Sequence, residues 1–510
     1  MPVRRARVTL EGGAGRQVTD TDTDGRYRFA GLRAGSYQVT AEKPGYVTLP
    51  AGATRPFIRP APILLKQAEA LTVNLALPHG AALEGRLVAE TGEPVQAATV
   101  AAVRLTATVQ GRRPAVVAQA RTDDLGRFRI HSLPAGAYYV EASDATLAAT
   151  SAPSAPGQRV EGWARTYYPG TASVSDAQAV RVASGEDRGG LDFDMQQMPL
   201  SSLTLRILDA AGKAPAAVGC RVQVVGGPVG AVRGFSAPSA ANVCIFPAVP
   251  PGEYWVMGAA RSAPGGPAAY AASRITASGE DIGEVVLHVE RGAEITGTID
   301  PNAGETWPAP NGVRIVTHAM AYDLPSPDSR TAAPQNPVAT QASADGRFVF
   351  ASVFGPTVFR LAGLPAGWAL STVWLDDREV TDVAGDLTAA QQPRRLRMVV
   401  TNRTARLKGT VTSVDRRPVH PDTRVIVFAT DERLWAAPSR FVFVAVPDAD
   451  GRFSVDGVLP GSYSVAALDD LEDESWHDPT VLRQLTEIAT AVTLAAGDDA
   501  TVALKTGRAR

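Results

Sequence analysis

One phrase recurs along this chain: a turn ending in Asp-Gly-Arg-Phe or a close variant, then Gly-x-Tyr-x-Val about ten residues on. It reads TDTDGRYRFAGLRAGSYQVTA from Thr21, TDDLGRFRIHSLPAGAYYVEA from Thr122 and PDADGRFSVDGVLPGSYSVAA from Pro447. Two more divergent copies lie between, SAANVCIFPAVPPGEYWVM from Ser239 and SADGRFVFASVFGPTVFRL from Ser343. The turn position moves through Gly25, Gly126, Asn242, Gly346 and Gly451, a period of roughly one hundred residues. Such a period is longer than a solenoid repeat and fits one small β-domain per copy. The chain is therefore expected to be an array of five like units, each large enough to bury a core of its own.

The local pattern says what each unit is made of. Phe128 and Ile130 alternate with Arg127 and Arg129, and Tyr138 shares a face with Val140. The same alternation sets Tyr27 with Phe29, Tyr37 with Val39, Phe453 with Val455 and Tyr463 with Val465. A period of two marks half-buried strands. Asp-Gly ahead of such a strand is a hairpin signal, because glycine accepts the positive φ of the turn. Closing strands are expected at LTVNLAL from Leu71, GLDFDMQ from Gly190, IGEVVLHV from Ile282, PRRLRMVV from Pro393 and ATVALK from Ala500. About seven short strands per unit, with 47 glycines and 38 prolines for turns, predict an all-β tandem array of about five Greek-key β-sandwiches. The segment from Asp478 breaks the pattern. Val481, Leu482, Leu485 and Ile488 fall at helical spacing, with Asp478 at the N-cap and Pro479 in the first turn, so one short helix is expected near the C-terminus. The units are expected at residues 1–79, 80–199, 200–290, 291–402 and 403–510.

Opening strands begin the second, fourth and fifth units, as ALEGRLVAE, AEITGTID and ARLKGTVTSV. The first unit begins at PVRRARVTLEGG, which matches PVQAATVAAV from Pro94, so its opening strand is missing. A sandwich without that strand leaves backbone groups of its neighbours unpaired. A preceding segment carrying the strand and a signal peptide or lipid anchor is therefore expected, since MPVRRARVTLEGG has no apolar signal region.

These motifs resemble carboxypeptidase regulatory-like domains, whose fold is the prealbumin-like (transthyretin-like) sandwich, grouped with carbohydrate-binding-like and Cna-B-type domains. The resemblance rests on GRLVAETGEPVQAATV and RTDDLGRFRIHSLPAGAYYV in the second unit and their counterparts elsewhere. It is strong in the second and fifth units, fair in the first and fourth, and weak in the third. TYYPGT from Thr166 and LPAGWALSTVWLDDREVTD from Leu364 are similar to segments of multidomain envelope proteins of this type from soil bacteria. The resemblance implies a fold rather than an activity, because its fixed residues are turn and core residues.

Little in the chain points to chemistry. His79, His131, His288, His318, His420 and His477 form no His-x-x-Glu or His-Glu-x-x-His, so no zinc peptidase and no cofactor is expected. The formal net charge is −2 and the arginines are scattered, which excludes a nucleic-acid stripe. No apolar run reaches the ~20 residues of a membrane helix. Asp20, Asp22 and Asp24 before Gly25 match the start of a calcium loop, but Gly31 stands where a bidentate Glu belongs, so the reading divides between a hairpin turn and a weak calcium site. Cys220 and Cys244 both face inward and are either a disulfide or two buried thiols. Trp163, Tyr167, Tyr168 and Trp435 sit in loop-like sequence, as does Trp307, where aromatic rings either stack on a ligand or fold back as core plugs. The function expected is a non-catalytic binding or spacer protein of the bacterial envelope or exterior, with carbohydrate or another protein as partner. The alternative is an accessory region of a larger secreted enzyme or outer-membrane transporter. The short joints between units predict an arc or rod.

Overall fold

A computed structural model describes the chain except residues 13–14, 54, 59, 61, 110, 144–160, 216, 226, 228–231, 237–241, 262–267, 308–311, 321–338, 388–392, 414–418, 421, 470 and 508–510. The described residues form a tandem array of two-layer β-sandwiches. One plan runs through units 2 to 5. An opening strand lies between an antiparallel neighbour, the strand after the repeated turn, and a parallel neighbour, the closing strand. In unit 2, Ala81–Ala89 pairs antiparallel with Arg127–Leu133 and parallel with Phe193–Met195. In unit 5, Ala405–Thr412 holds Arg452–Val458 and Asp499–Gly507 in the same way. Units 3 and 4 repeat it from Ser201–Asp209 and Ala293–Pro301. The Gly-x-Tyr-x-Val strand belongs to the facing sheet, where Gly136–Ser143 pairs with Thr99–Thr108, and Gly461–Leu468 with Arg424–Ala429. In units 2 to 5 a separate apolar core lies between the two layers, and in unit 1 a smaller one lies against its single sheet.

Two repeated devices hold the hairpin. The first is the aspartate that begins the turn. Asp22 Oδ1 accepts from the backbone N–H of Asp24 and Arg26, Asp123 Oδ1 from Leu125 and Arg127, and Asp448 Oδ1 from Asp450 and Arg452, all at 2.7–3.0 Å. A side chain that satisfies N–H groups two and four residues on pins the turn. Ser343 starts the turn in unit 4 and donates instead, to the Arg347 carbonyl at 2.6 Å. The second device is the tyrosine. Tyr37, Tyr138 and Tyr463 each bury the ring and donate the hydroxyl to the carbonyl four residues back, Arg33, Pro134 and Leu459, at 2.6–2.8 Å. The ring fills the core while its polar end closes the loop between hairpin strands.

The glycine of the opening strand is set by a close approach. Gly85 lies opposite Phe128, Gly297 opposite Phe348 and Gly409 opposite Phe453. A Cβ on Gly409 would stand 2.4 Å from the Val502 carbonyl oxygen and 2.5 Å from the Phe453 ring. Unit 3 solves the same register differently: Leu205 lies opposite Cys244. A large opening-strand residue faces a small partner there, so the volume is exchanged across the pair. Cys244 is joined to Cys220 by a disulfide, with the Cα atoms 6.3 Å apart.

Unit 1 departs from the strands expected in it. Tyr27–Phe29 and Leu71–Leu77 are extended but belong to no strand. In units 2 to 5 both segments pair with the opening strand, and among the described residues of unit 1 none lies between them. Their side chains are only half-buried, whereas Phe128, Ile130, Phe193 and Met195 are buried in unit 2. The helix covers Pro479–Leu485, with Asp478 accepting from the Thr480 N–H at 2.8 Å. Leu482 and Leu485 are buried, but Ile488 falls beyond the helix and is 46 % exposed.

Gly409→Ala is expected to destabilise unit 5 by about 1–3 kcal/mol through overpacking. Tyr463→Phe is expected to cost about 1 kcal/mol, the net worth of one hydrogen bond. Hydrogen exchange across Arg452–Val458 reads both, and equal protection in Gly409→Ala and the parent would refute the close-approach account.

Candidate functional site

The aromatic residues picked from the sequence do not form one site. Trp435 is 1 % exposed, and its indole N–H donates to the Ala429 carbonyl at 2.6 Å. Its ring packs edge-on against Phe428. With both faces covered it has no surface to offer a ligand, so the loop reading is corrected to a core plug. Tyr167 is likewise buried. Its hydroxyl donates to Glu141 Oε2 at 2.9 Å, and Glu141 pairs with the Arg165 guanidinium at 3.2 Å. Burial first, and the Glu141 carboxylate next, push the Tyr167 hydroxyl up to about 12. Burial, the largest single influence, works against the Arg165 charge, but Glu141, Tyr167 and Tyr254 together more than offset it and the group is held above its ordinary value. Arg165 also approaches Gly227 of unit 3, so this network lies where units 2 and 3 meet. Trp163 is half-buried against the unit 2 core, on a short strand paired with Gln197–Pro199. The loop ahead of it, 144–160, lies outside the described residues. Trp307 packs edge-on against Trp368 at 4.7 Å.

Tyr168, one of the four ligand candidates, borders an open cleft. The cleft has a volume of about 310 Å³ and is lined by Tyr168, Gln178, Arg181, Arg188 and Leu191. Phe193 supports the Tyr168 ring edge-on, with centroids 5.9 Å apart. In the acidic turn of unit 1, Asp22 Oδ1 is committed to two backbone N–H groups, and among the described residues no three His, Cys, Asp or Glu side chains gather where a cation could sit.

The arrangement of polar groups is richest where units touch one another, and it centres on a cap over the outer sheet face of unit 5. Ile426, Phe428, Ala466 and Leu468 face outward from that sheet and are covered by Trp435, Leu471, Leu482 and Leu485. Three other units dock on the cap. From unit 1, Arg55 donates to the Leu471 carbonyl at 2.8 Å. From unit 2, Arg104 pairs with Glu472 at 2.5 Å and Arg112 with Asp478 at 2.9 Å. The Arg104 guanidinium also lies over the Phe57 ring, 4.2 Å from its centroid. At unit 4, Arg440 holds Asp382 with two nitrogens, at 3.0 and 2.9 Å, and donates to the Leu370 and Ser371 carbonyls. Arg360 returns the contact to the Pro438 carbonyl at 2.7 Å. The array therefore turns back on itself, as an arc and not a rod. Arginines that look merely scattered in the sequence are drawn together here; no sequence spacing marks them, because their partners lie up to 416 positions away.

Residues 1–77 and 82–196 match the family model of the carboxypeptidase regulatory-like domain. The chain carries carboxypeptidase regulatory-like domains. The match spans units 1 and 2, where the repeated phrase is well kept. No curated protein matches the chain. Among solved structures it is similar to the Bacillus anthracis TIE protein (10 % identity over 83 % of this chain and 73 % of that one, TM-score 0.18). It is also similar to BcpA, the major pilin subunit of Bacillus cereus (11 %, 84 % and 100 %, TM-score 0.16). A streptococcal ancillary pilin is a third such likeness (11 %, 63 % and 99 %, TM-score 0.22). Identities and scores this low say nothing about shared activity or about how the regulatory-like units are arranged. Among the described residues no helix is long and apolar enough to cross a membrane.

His318 of unit 4 reports on the cap joint. Burial first, then Arg360 and His477, lower it from 6.5 to about 4. The unfolded chain therefore binds a proton between those values that the folded chain does not, and stability rises with pH across that window. Acidification from about pH 6.5 to pH 4 is expected to cost unit 4 on the order of 2 kcal/mol from this group. Denaturant unfolding at stepped pH checks it, and His318→Phe should remove that part of the slope.

Proposed function

We propose that this chain is a braced, non-catalytic scaffold of the bacterial envelope or exterior. The observation that carries the reading is the cap on unit 5, on which units 1, 2 and 4 all dock through arginine contacts. Joints between domains of one chain are ordinarily small and polar, and they permit relative motion. A cap that gathers four units opposes that motion. The surface supports the same reading. Among the described residues every tryptophan is buried or half-buried, and Phe57 at 36 % is the one exposed aromatic among the large apolar side chains left outside. The Cys220–Cys244 bond suits an oxidising compartment, which favours the exterior over the cytoplasm.

Small-angle scattering of the whole chain tests the bracing. The double variant Arg104→Glu, Arg112→Glu places like charges against Glu472 and Asp478. It is expected to enlarge the radius of gyration while leaving the β-sheet spectrum unchanged. An unchanged radius would refute the brace. The same protein, unfolded without reductant, is expected to show no free thiol.

A second reading concerns a ligand and rests on the Tyr168 cleft. A supported ring beside two exposed guanidinium groups suits a sugar bearing a carboxylate or sulfate: the ring face stacks and the guanidinium groups hold the acid. Binding on an array of acidic glycans, reduced at least tenfold by Tyr168→Ala, is the expected result. An array with no acidic glycan bound removes this reading and leaves the scaffold untouched.

A further inference from the structure

We infer that the clasp between units 1 and 2 and the unit 5 cap also forms between two copies of this chain, each docking its first two units on the cap of the other in a closed two-fold dimer. The inference rests on the brace proposed above and adds a partner to it: the faces stay the same, and the chain that supplies them changes. Charge is divided across this contact. Arg55 faces Asp422 at 3.8 Å, Arg104 faces Glu472 at 2.5 Å and Arg112 faces Asp478 at 2.9 Å. In these pairs the cations belong to units 1 and 2 and the carboxylates to unit 5. Two like faces repel and two unlike faces attract, so a second copy fits in one arrangement, its cap against the first two units.

A strap from unit 1 completes the contact. Arg55, Pro56, Phe57 and Ile58 follow one another in sequence and lie against both neighbours. The Arg55 guanidinium donates to the Leu471 carbonyl at 2.8 Å, and the Asp473 N–H donates to the Phe57 carbonyl at 3.3 Å. Phe57 stands at φ 63°, in the left-handed region, where a bulky side chain is strained and persists only when its surroundings hold it. Those surroundings come from other units: Arg104 of unit 2 lies over the ring at 4.2 Å and Asp473 of unit 5 binds the carbonyl. The shape of the strap is thus a property of the joint and not of unit 1 alone.

Closure within one chain has to bend short links. Leu200 alone separates the strand Gln197–Pro199 from Ser201–Asp209, and Gly292 alone separates Gly283–Arg291 from Ala293–Pro301. The partners brought together across them are 368 positions apart for Arg104 and 416 for Arg55. Short links under strain, joining an element to a distant docking face, favour its exchange between chains. Exchange keeps every contact of the clasp and relieves the links. Because each chain has one face of each kind, two copies used reciprocally leave neither face open.

Two full-length variants test it. Arg104→Glu sets a carboxylate against Glu472, and Glu472→Arg sets a guanidinium against Arg104, so neither chain closes on itself. Each alone is expected to be an expanded monomer. Mixed in equal amounts, each offers the face the other lacks in both directions. Light scattering over a concentration series reaching about 1 mM, the effective concentration of a short-tethered contact, is expected to read twice the monomer mass. Both substitutions in one chain are expected to restore the compact radius of the parent, which shows that the reversed pair docks. A mixture that stays monomeric while the doubly substituted chain is compact overturns the proposal and leaves the brace standing. A doubly substituted chain that stays expanded, with a monomeric mixture, removes both. A dimer formed by either variant alone, or a species larger than a dimer in the mixture, also overturns the closed reciprocal arrangement. The parent chain provides a check that needs no variant: unfolded and refolded at rising concentration, it is expected to give a growing dimer fraction that persists on dilution. Monomer alone at every concentration overturns the proposal.

Discussion

The opening strand is the element on which each sandwich depends. It sits in the middle of its sheet and is hydrogen-bonded on both sides, antiparallel to the strand after the repeated turn and parallel to the closing strand. Those two neighbours are far apart in sequence and do not touch each other without it. Its glycine lets an aromatic ring lie flat over the backbone, so the strand also defines the depth of the core. Unit 1 shows the consequence of its absence within a single chain. The turn still forms, the Asp22 hydrogen bonds are intact, and the Tyr37 hydroxyl still closes its loop. Yet the two flanking segments fail to become strands, and their apolar side chains remain half open to solvent. Local turn chemistry therefore forms without contact to a central strand, whereas sheet pairing depends on one.

This separation explains what could be read in advance. Turns and alternating strands are short-range features, and the Asp-Gly turns, the inward Phe128 and Ile130 and the N-cap at Asp478 all follow from residues within a few positions of one another. The cap on unit 5 was harder to see. Arg424–Ala429 is buried along its whole length, because one face meets the sandwich core and the other meets Trp435 and the helix. Its run of Val-Ile-Val-Phe carries that message in the missing alternation. The segment around Trp435 is polar and reads as a loop, and only the outer sheet face formed by Ile426, Phe428, Ala466 and Leu468 makes it a core plug. The unit 3 exchange of Gly and Phe for Leu and Cys was similarly hidden. Each substitution alone reads as divergence; paired in register, Leu205 and Cys244 conserve volume.

The joints rest on a different kind of interaction from the cores. A fully exposed ion pair is worth little, since water screens it and two long side chains must be held still. Several pairs here escape that limit because one partner is largely enclosed. Arg104, Arg360 and Arg440 are 15 %, 12 % and 17 % exposed. Each also makes contacts that a point charge could not: Arg104 lies over the Phe57 ring, while Arg360 and Arg440 each donate to more than one backbone carbonyl. Removing the carboxylate partner leaves an enclosed guanidinium unmatched, which costs more than the pair itself contributes.

This gives a structural reason for a feature of composition. Arginine far outnumbers lysine in a chain whose net charge is close to neutral. Nucleic acid is not the explanation, because the arginines form no stripe. A planar guanidinium with five donors can bind a carboxylate through two nitrogens, reach two carbonyls and stack on a ring at once. Lysine has three rotatable donors on a compact charge and cannot fill the position of Arg440, which holds Asp382 and two successive carbonyls simultaneously. Sandwich cores built from one repeated plan need little from their surfaces, so the same fold can be linked into many shapes. Which shape results depends on residues outside the repeat. In this chain those residues include Arg55, Arg104, Arg112, Arg360 and Arg440, whose contacts around the cap of unit 5 use the several donors of a guanidinium.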